Sequence, residues 1–226
     1  MIELRNVTFA FNGKAILQNV SFAVDKGDFA VLVGNTGSGK TTLIQLLIGE
    51  LIPIGGEIYV GDTRVDQLTK KQLARYRRSI GIISEEIGLL GEKSVAENVA
   101  FPLDIVGRRH QVPVHASVRA QLEAVNLQTK ANSAPKELSL GEYQRAAIAR
   151  ALISEPLILI ADCPTVRLDP YASAEILSIL DNQNVRGMTI LLTMSELPDH
   201  RQFPPKTLFY RLDQGTVHRF LPETLE

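Results

Sequence analysis

The chain has 226 residues, 45% of them apolar and 22% charged, enough for one large domain or one domain with a subdomain, and for a substantial core. Its net charge of −1 gives no argument for a nucleic acid or an acidic membrane surface as partner, and its single cysteine, Cys163, excludes an internal disulfide framework and suits a reducing compartment. No apolar run approaches a membrane span, since Leu43–Ile54 is broken by Glu50 and Pro53, and Met1–Arg5 does not read as a signal peptide. The expectation is a soluble, cytoplasmic chain with any membrane role supplied through a partner.

Residues 1–33 read as strands. Ile2/Leu4 and Val7/Phe9/Phe11 alternate with polar or small residues, Asn12-Gly13-Lys14 is a turn, and Ala15–Val24 is a second extended stretch closed by Asp25-Lys26-Gly27-Asp28. Phe11 is either a plain strand residue or a face on which an adenine ring stacks. Phe29–Val33 runs into Gly34-Asn35-Thr36-Gly37-Ser38-Gly39-Lys40-Thr41-Thr42, which fits the phosphate-binding loop pattern in full, with a helical pattern over Thr41–Ile48 behind it. The chemistry needs this spacing. Glycines permit backbone angles that turn successive N–H groups toward a phosphate. The helix behind the loop points its positive dipole end at the same anion. Lys40 can reach β/γ-phosphates, and the Thr41 hydroxyl can ligand Mg2+.

Pro53–Gly56 is a loop, and Glu57–Val60 with Gly61-Asp62 is a strand and turn. Leu68–Arg78 has helical character and carries Lys70, Lys71, Arg75, Arg77 and Arg78, read as a solvated face. Ser79–Ser84 is a buried strand with Glu85-Glu86 at its C-terminal end, where open α/β sheets place ligand residues. Residues 92–130 are mostly helical, with Val95/Val99 and Val118/Leu122/Val125 at helical spacing and Pro102 and Pro113 expected to break the run. Ala131–Glu137 reads as a loop and Leu138–Ile153 as a helix with Ser139 near its start. Leu157–Asp162 is an apolar strand ending in a carboxylate, which is either a Mg2+ partner held partly through water or a capping Asp. Tyr171–Leu180 is helical, Met188–Thr193 is a strand, and Thr207–Leu212 pairs with Thr216–Phe220 around Asp213-Gln214-Gly215. No internal repeat or low-complexity tract is present.

At Leu138-Ser139-Leu140-Gly141-Glu142-Tyr143-Gln144-Arg145 the chain resembles the signature of ATP-binding-cassette (ABC) ATPases, whose pattern is Leu-Ser-Gly-Gly-Glu/Gln. The resemblance runs from Ile2 to about Val217. It takes in Phe11, the phosphate loop, Leu157–Asp162 as Walker B, and Leu168-Asp169 as the D-loop. Val95-Ala96-Glu97-Asn98-Val99 with Phe101-Pro102-Leu103 is most similar to the FtsE/LolD branch, which serves membrane complexes in cell division and lipoprotein export. The resemblance implies a P-loop NTPase cassette of α/β class. Its parts are a mixed sheet core (1–91 and 146–226), an N-terminal antiparallel β subdomain and a helical signature subdomain (92–145). It also implies ATP and Mg2+ as ligands. Phe11, Gly34–Thr42, Ser139, Gly141 and Glu142 would touch nucleotide, and Thr41, Asp162 and Glu85 would touch the metal. Two cassettes, identical or different, would close head to tail around two ATP molecules. An integral membrane permease or FtsX-like subunit would dock near 85–106, placing the chain peripherally on the inner face of the plasma membrane. No nucleic acid is implied.

The sequence departs from this family where hydrolysis is performed. The glutamate after the Walker B aspartate is Cys163, a thiol that is mostly neutral at pH 7 and a poor base for water. The histidine after the last core strand is Met194, whose thioether donates no hydrogen bond, and His200 does not fit the spacing. The glutamine before the docking segment is Glu85, and the first signature glycine is Leu140. The expectation is a cassette that keeps ATP binding with weak or absent hydrolysis. The alternatives are an active ATPase orienting water with Glu85, Asp169 or Ser195, a soluble repair- or translation-type cassette, and a nucleotide kinase.

Overall fold

The computed structural model describes residues 1–84, 87–105 and 114–222. In chain order it has β1 (Ile2–Phe11), β2 (Lys14–Val24), β3 (Phe29–Val33), α1 (Lys40–Leu47), β4 (Gly55–Val60), β5 (Thr63–Arg64), α2 (Lys70–Arg77) and β6 (Gly81–Ile83). These are followed by α3 (Val95–Ile105), α4 (Val114–Ala124), α5 (Leu140–Leu152), β7 (Ile158–Ala161), α6 (Pro170–Val185), β8 (Thr189–Met194), β9 (Leu208–Asp213) and β10 (Thr216–Phe220).

Among the described residues the strands form two sheets. The first, in order β2-β1-β4-β5, is antiparallel throughout. Its hairpin turns on Asn12-Gly13, with φ of 49° and 79°. Positive φ at both central positions is the type I′ two-residue hairpin loop, for which Asn-Gly is the favoured pair. The second sheet, in order β10-β9-β3-β8-β7-β6, is parallel except for the β9–β10 hairpin. The fold is therefore the mixed α/β cassette the resemblance implies.

β3 is buried at every residue, and its alternation divides the core. Phe29, Val31 and Val33 join the apolar cluster under α3, α4, α5 and α6, while Ala30 and Leu32 join α1 and the antiparallel sheet. Strands covered on both faces read as unbroken apolar runs, which is why β3, β7 and β8 stand out in the sequence. The register aligns Val33 with Met194, Leu192 with Ala161, and Ala161 with Ile83. The phosphate loop, Asp162 and Ser195 therefore leave the sheet at the same C-terminal edge. Glu85, expected beside them, lies outside the described residues, as do Glu86, Val106 and Pro113.

Several expectations are corrected. Pro102 does not break a helix: it lies inside α3. A proline there removes one backbone hydrogen bond, but Val95, Val99 and Leu103 on either side of it are buried in the core and hold the helix together. Ala131–Glu137 is not a plain loop, since a 3-10 turn covers Pro135–Glu137 and another, Gln128–Lys130, precedes it. The signature helix begins at Leu140, with Ser139 as its cap, and α6 runs on to Val185.

The segment leading into α3 is organised by one side chain. Asn98 is fully buried. Its Oδ1 accepts from Leu90 N–H at 2.7 Å, and its Nδ2 donates to the carbonyls of Leu90, Lys93 and Ser94 at 3.0, 3.2 and 3.0 Å. Asn98→Ala leaves these groups unpaired in a buried setting, so a loss of roughly 2–3 kcal/mol is expected in urea unfolding, with faster amide exchange concentrated at residues 87–94.

Candidate nucleotide site

The phosphate loop is built around a buried cation. Lys40 is 6% exposed, and its Nζ donates to the carbonyls of Gly34 at 2.6 Å and Asn35 at 3.0 Å. The loop closes by hydrogen bonds from Ser38 N–H to Asn35 O and from Gly34 N–H to Met194 O, both at 3.1 Å. Gly39 caps α1 at φ 106°, and Gly37 has φ 80°, conformations that exact a steric penalty from any side chain. Gly34 is required for a different reason. A Cβ there would lie 2.6 Å from Leu212 O and 2.7 Å from Ser38 Oγ. Ser38 Oγ itself is buried without a hydrogen-bond partner. An unpaired hydroxyl and a lysine held only by carbonyls, in a glycine-rich loop at a helix N-terminus, fit a polyphosphate.

At the end of β7, Asp162 is buried, and its Oδ1 accepts from Thr193 Oγ1 at 2.6 Å. Its backbone N–H donates to Ile83 O at 2.8 Å, tying β7 to β6. Cys163 follows in the left-handed region, φ 47°, a strained conformation of the kind that concentrates at functional sites. Its N–H donates to Thr193 Oγ1 at 3.0 Å, and its Sγ lies 3.4 Å from the same oxygen. Burial, more than any other effect, pushes the thiol above its ordinary range, and the Asp162 carboxylate adds to this, opposed by the Thr193 hydroxyl and the Lys40 charge. Lys40, Asp162 and Cys163 thus share one electrostatic neighbourhood. Met194 is 6% exposed and packs in the apolar cluster beneath the sheet. Asp169 is occupied as the cap of α6, accepting from Ala172 N–H at 2.9 Å. Phe11, at the tip of the first hairpin, is 60% exposed. Among the described residues no group of three or more His, Cys, Asp or Glu side chains could hold a metal alone. A metal at Thr41 and Asp162 would need phosphate oxygens to complete its shell, the usual arrangement for Mg2+.

The signature residues stand apart from the loop. Among the described residues, no hydrogen bond or ion pair joins Ser139, Gly141 or Glu142 to Gly34–Thr42. Ser139 caps α5 in a reciprocal box: its Oγ accepts from Glu142 N–H at 3.2 Å, and Glu142 Oε2 accepts from Ser139 N–H at 2.8 Å. Leu140, the first residue of α5, is 50% exposed. Two side chains further along α5, seven residues apart and so on one face, clamp the segment after Glu86. Tyr143 Oη accepts from Leu89 N–H at 2.6 Å, and Arg150 donates to the carbonyls of Gly88 at 2.8 Å and Ile87 at 2.6 Å. Sequence reasoning passes over Thr193, Tyr143 and Arg150. The seven-residue spacing could have paired the last two, whereas Thr193 meets Asp162 only through strand order.

The model of the family described as ABC transporter matches residues 17–166. The chain belongs to the ABC transporter family. The cassette is 40% identical over 194 residues to the cell division ATP-binding protein FtsE of Mycobacterium tuberculosis, covering 85% of this chain and 84% of that one. It is 36% identical over 198 residues to the FtsE of Escherichia coli, covering 87% and 89%. Among solved structures it is similar to the ATP-binding cassette MJ0796, a dimer in a post-hydrolysis state bound to ADP and Pi. The TM-score is 0.86 at 28% identity, with 99% of this cassette and 100% of that chain covered.

Two outcomes test this geometry. Gly34→Ala is expected to lose ATP affinity at least tenfold in calorimetry while retaining a cooperative thermal transition, because the added methyl strikes the loop and Leu212 O rather than the core. The Ser139 N–H, followed by the Ser139 hydroxyl and the Lys130 ammonium, holds the Glu142 carboxyl below its ordinary value. Its contribution is therefore present above about pH 4.3 and lost as pH falls through the lower folded value. The stability difference between the native chain and Glu142→Ala should be flat above neutrality and shrink toward acid; a constant difference would show that the carboxylate charge is irrelevant to the cap.

Proposed function

We propose that this cassette is the ATP-binding subunit of an FtsE-like membrane complex, and that it binds Mg-ATP well but hydrolyses it slowly. The observation that carries the reading is a contrast at one sheet edge. The residues for a phosphate cradle are all present, whereas the position where the family has its water-orienting glutamate holds a half-buried thiol 3.4 Å from Thr193 Oγ1.

The amides of Gly34–Thr42, with Lys40, would take the β- and γ-phosphates, and Ser38 Oγ would gain the partner it lacks. Phe11 would offer its ring to adenine. Thr41 and Asp162, with Glu85 as a further candidate, would hold Mg2+, which neutralises charge on the β- and γ-phosphates. Cys163, held protonated at neutral pH, takes no proton from water. Met194 has no N–H to offer the γ-phosphate. Ser139, Gly141 and Glu142 would face the nucleotide of a second cassette, identical or different, with Leu140 crowding the approach. Residues 92–145 would move as a helical subdomain. A permease or FtsX-like subunit would dock near 85–106. Support comes from the clamp of Tyr143 and Arg150 on residues 87–89, and from the adjoining groove of about 190 Å3 between Ile82, Ile87, Pro102 and Ile105. A membrane partner contacting these residues would act directly on the signature helix. The cassette would then sit on the inner face of the plasma membrane through that partner.

The test is Mg-ATP binding and steady-state turnover on the purified chain, repeated with Cys163→Glu and with Cys163→Glu plus Met194→His. Binding without appreciable turnover is expected from the unmodified chain. A restored carboxylate should raise kcat by about 10²-fold or more, the usual worth of a general base. Fast turnover by the unmodified chain that Lys40→Ala abolishes would refute slow hydrolysis while leaving ATP binding intact.

A further inference from the structure

We propose that α2 and the turn beside it form a binding surface for anionic phospholipid headgroups. The outward side of α2 and its cap carry Lys70, Lys71, Arg75 and Arg78, all exposed, and the helix contains no acidic residue. This composition breaks local rules. Lysines at the first and second helical positions oppose the positive end of the helix dipole, where carboxylates belong. A merely solvated helix face carries Glu–Lys pairs four residues apart, and none is present. Among the described residues no ion pair reaches any of these four side chains. Glu155 shares a surface hollow with Arg75 and Arg78 without pairing to either. A local violation with no structural return marks a functional surface.

The second observation is apolar and lies in the segment that follows the turn on which this helix is seated. Arg77 Nε donates to Ile48 O at 2.8 Å and its Nη2 to Gly49 O at 2.9 Å, which seats α2 on the turn at the end of α1. From that turn the chain leads to Ile52 and Ile54, which are 73% and 69% exposed on either side of Pro53. Two bare isoleucines within six residues of the turn that carries a cationic helix gain nothing from a polyanion in water. They suit the boundary between headgroups and acyl chains, where cations meet lipid phosphate and short apolar side chains enter. The patch holds no aromatic ring on which a nucleic acid base would stack. The inference is independent of hydrolysis; Arg78 also lines the groove proposed for partner docking, so the test below rests on Lys70, Lys71 and Arg75.

The test is co-sedimentation of the full chain with phosphatidylcholine vesicles, with and without phosphatidylglycerol. Binding is expected only with the anionic lipid, and it should weaken as salt rises. Lys70→Gln/Lys71→Gln/Arg75→Gln should reduce it by about 100-fold. Ile52→Ser/Ile54→Ser should reduce it several-fold without altering the salt dependence. Unchanged Mg-ATP affinity in each variant shows that the fold is intact. Equal binding to both vesicle types, salt-insensitive binding by the unmodified chain, or full binding by either variant overturns the proposal. So does capture by soluble polyglutamate or RNA without capture by anionic vesicles.

Discussion

A lysine ammonium with almost no access to water, held only by two loop carbonyls, is the constraint around which this fold is arranged. A buried charge is costly unless it is paired, and carbonyl dipoles compensate it only in part. Among the described residues no carboxylate forms an ion pair with this lysine, and Asp162 at the same sheet edge is engaged by Thr193. Under the proposed function, the remaining compensation would come from an anion entering the loop. Much else follows from keeping that cation in place. The loop must come within a few ångströms of β9, which makes Gly34 a glycine. β3 must be fixed on both sides, which its place between β8 and β9 achieves. The family membership and the likeness to a cassette bound to ADP and Pi are in line with that reading.

The legible parts of the sequence were those whose geometry is local. The phosphate loop declares itself because its chemistry needs fixed spacings within nine residues. The buried strands declare themselves because both faces are covered. The signature run is legible because its residues are consecutive, although the cap that Ser139 forms with Glu142 shows only in the structure. Elsewhere local rules were overridden or incomplete. Pro102 looked like a stop because proline costs a hydrogen bond, yet the buried side chains around it outweigh that cost. α6 looked shorter than it is because Asp181-Asn182-Gln183-Asn184 interrupts its apolar period. Its last turn is secured from outside the helix, by Asn184 Nδ2 donating to Gly27 O at 2.8 Å and Met188 O at 2.9 Å. Thr193 was invisible for a plainer reason. It lies 31 residues from Asp162, and only the pairing of β7 with β8 brings them together.

That hydroxyl decides what the thiol can do. A threonine carries one proton and two lone pairs. At 2.6 Å from Asp162 Oδ1, in a buried setting, the proton belongs in the charge-assisted bond to the carboxylate. The oxygen then accepts from Cys163 N–H, and any bond between it and Cys163 Sγ has sulfur as the donor. The thiol hydrogen therefore points inward, toward the strand, and the arrangement rewards keeping it. A carboxylate at this position has no proton to give Thr193, and Asp162 would repel it, so it would face outward, where under the proposed function a nucleotide's terminal phosphate would arrive. The difference between the two side chains is thus one of direction as well as basicity. Under the proposed function, the same hydrogen-bond set that holds Asp162 ready for a metal also turns Cys163 away from the reacting phosphate. Retained binding and weakened hydrolysis would then have a single structural origin.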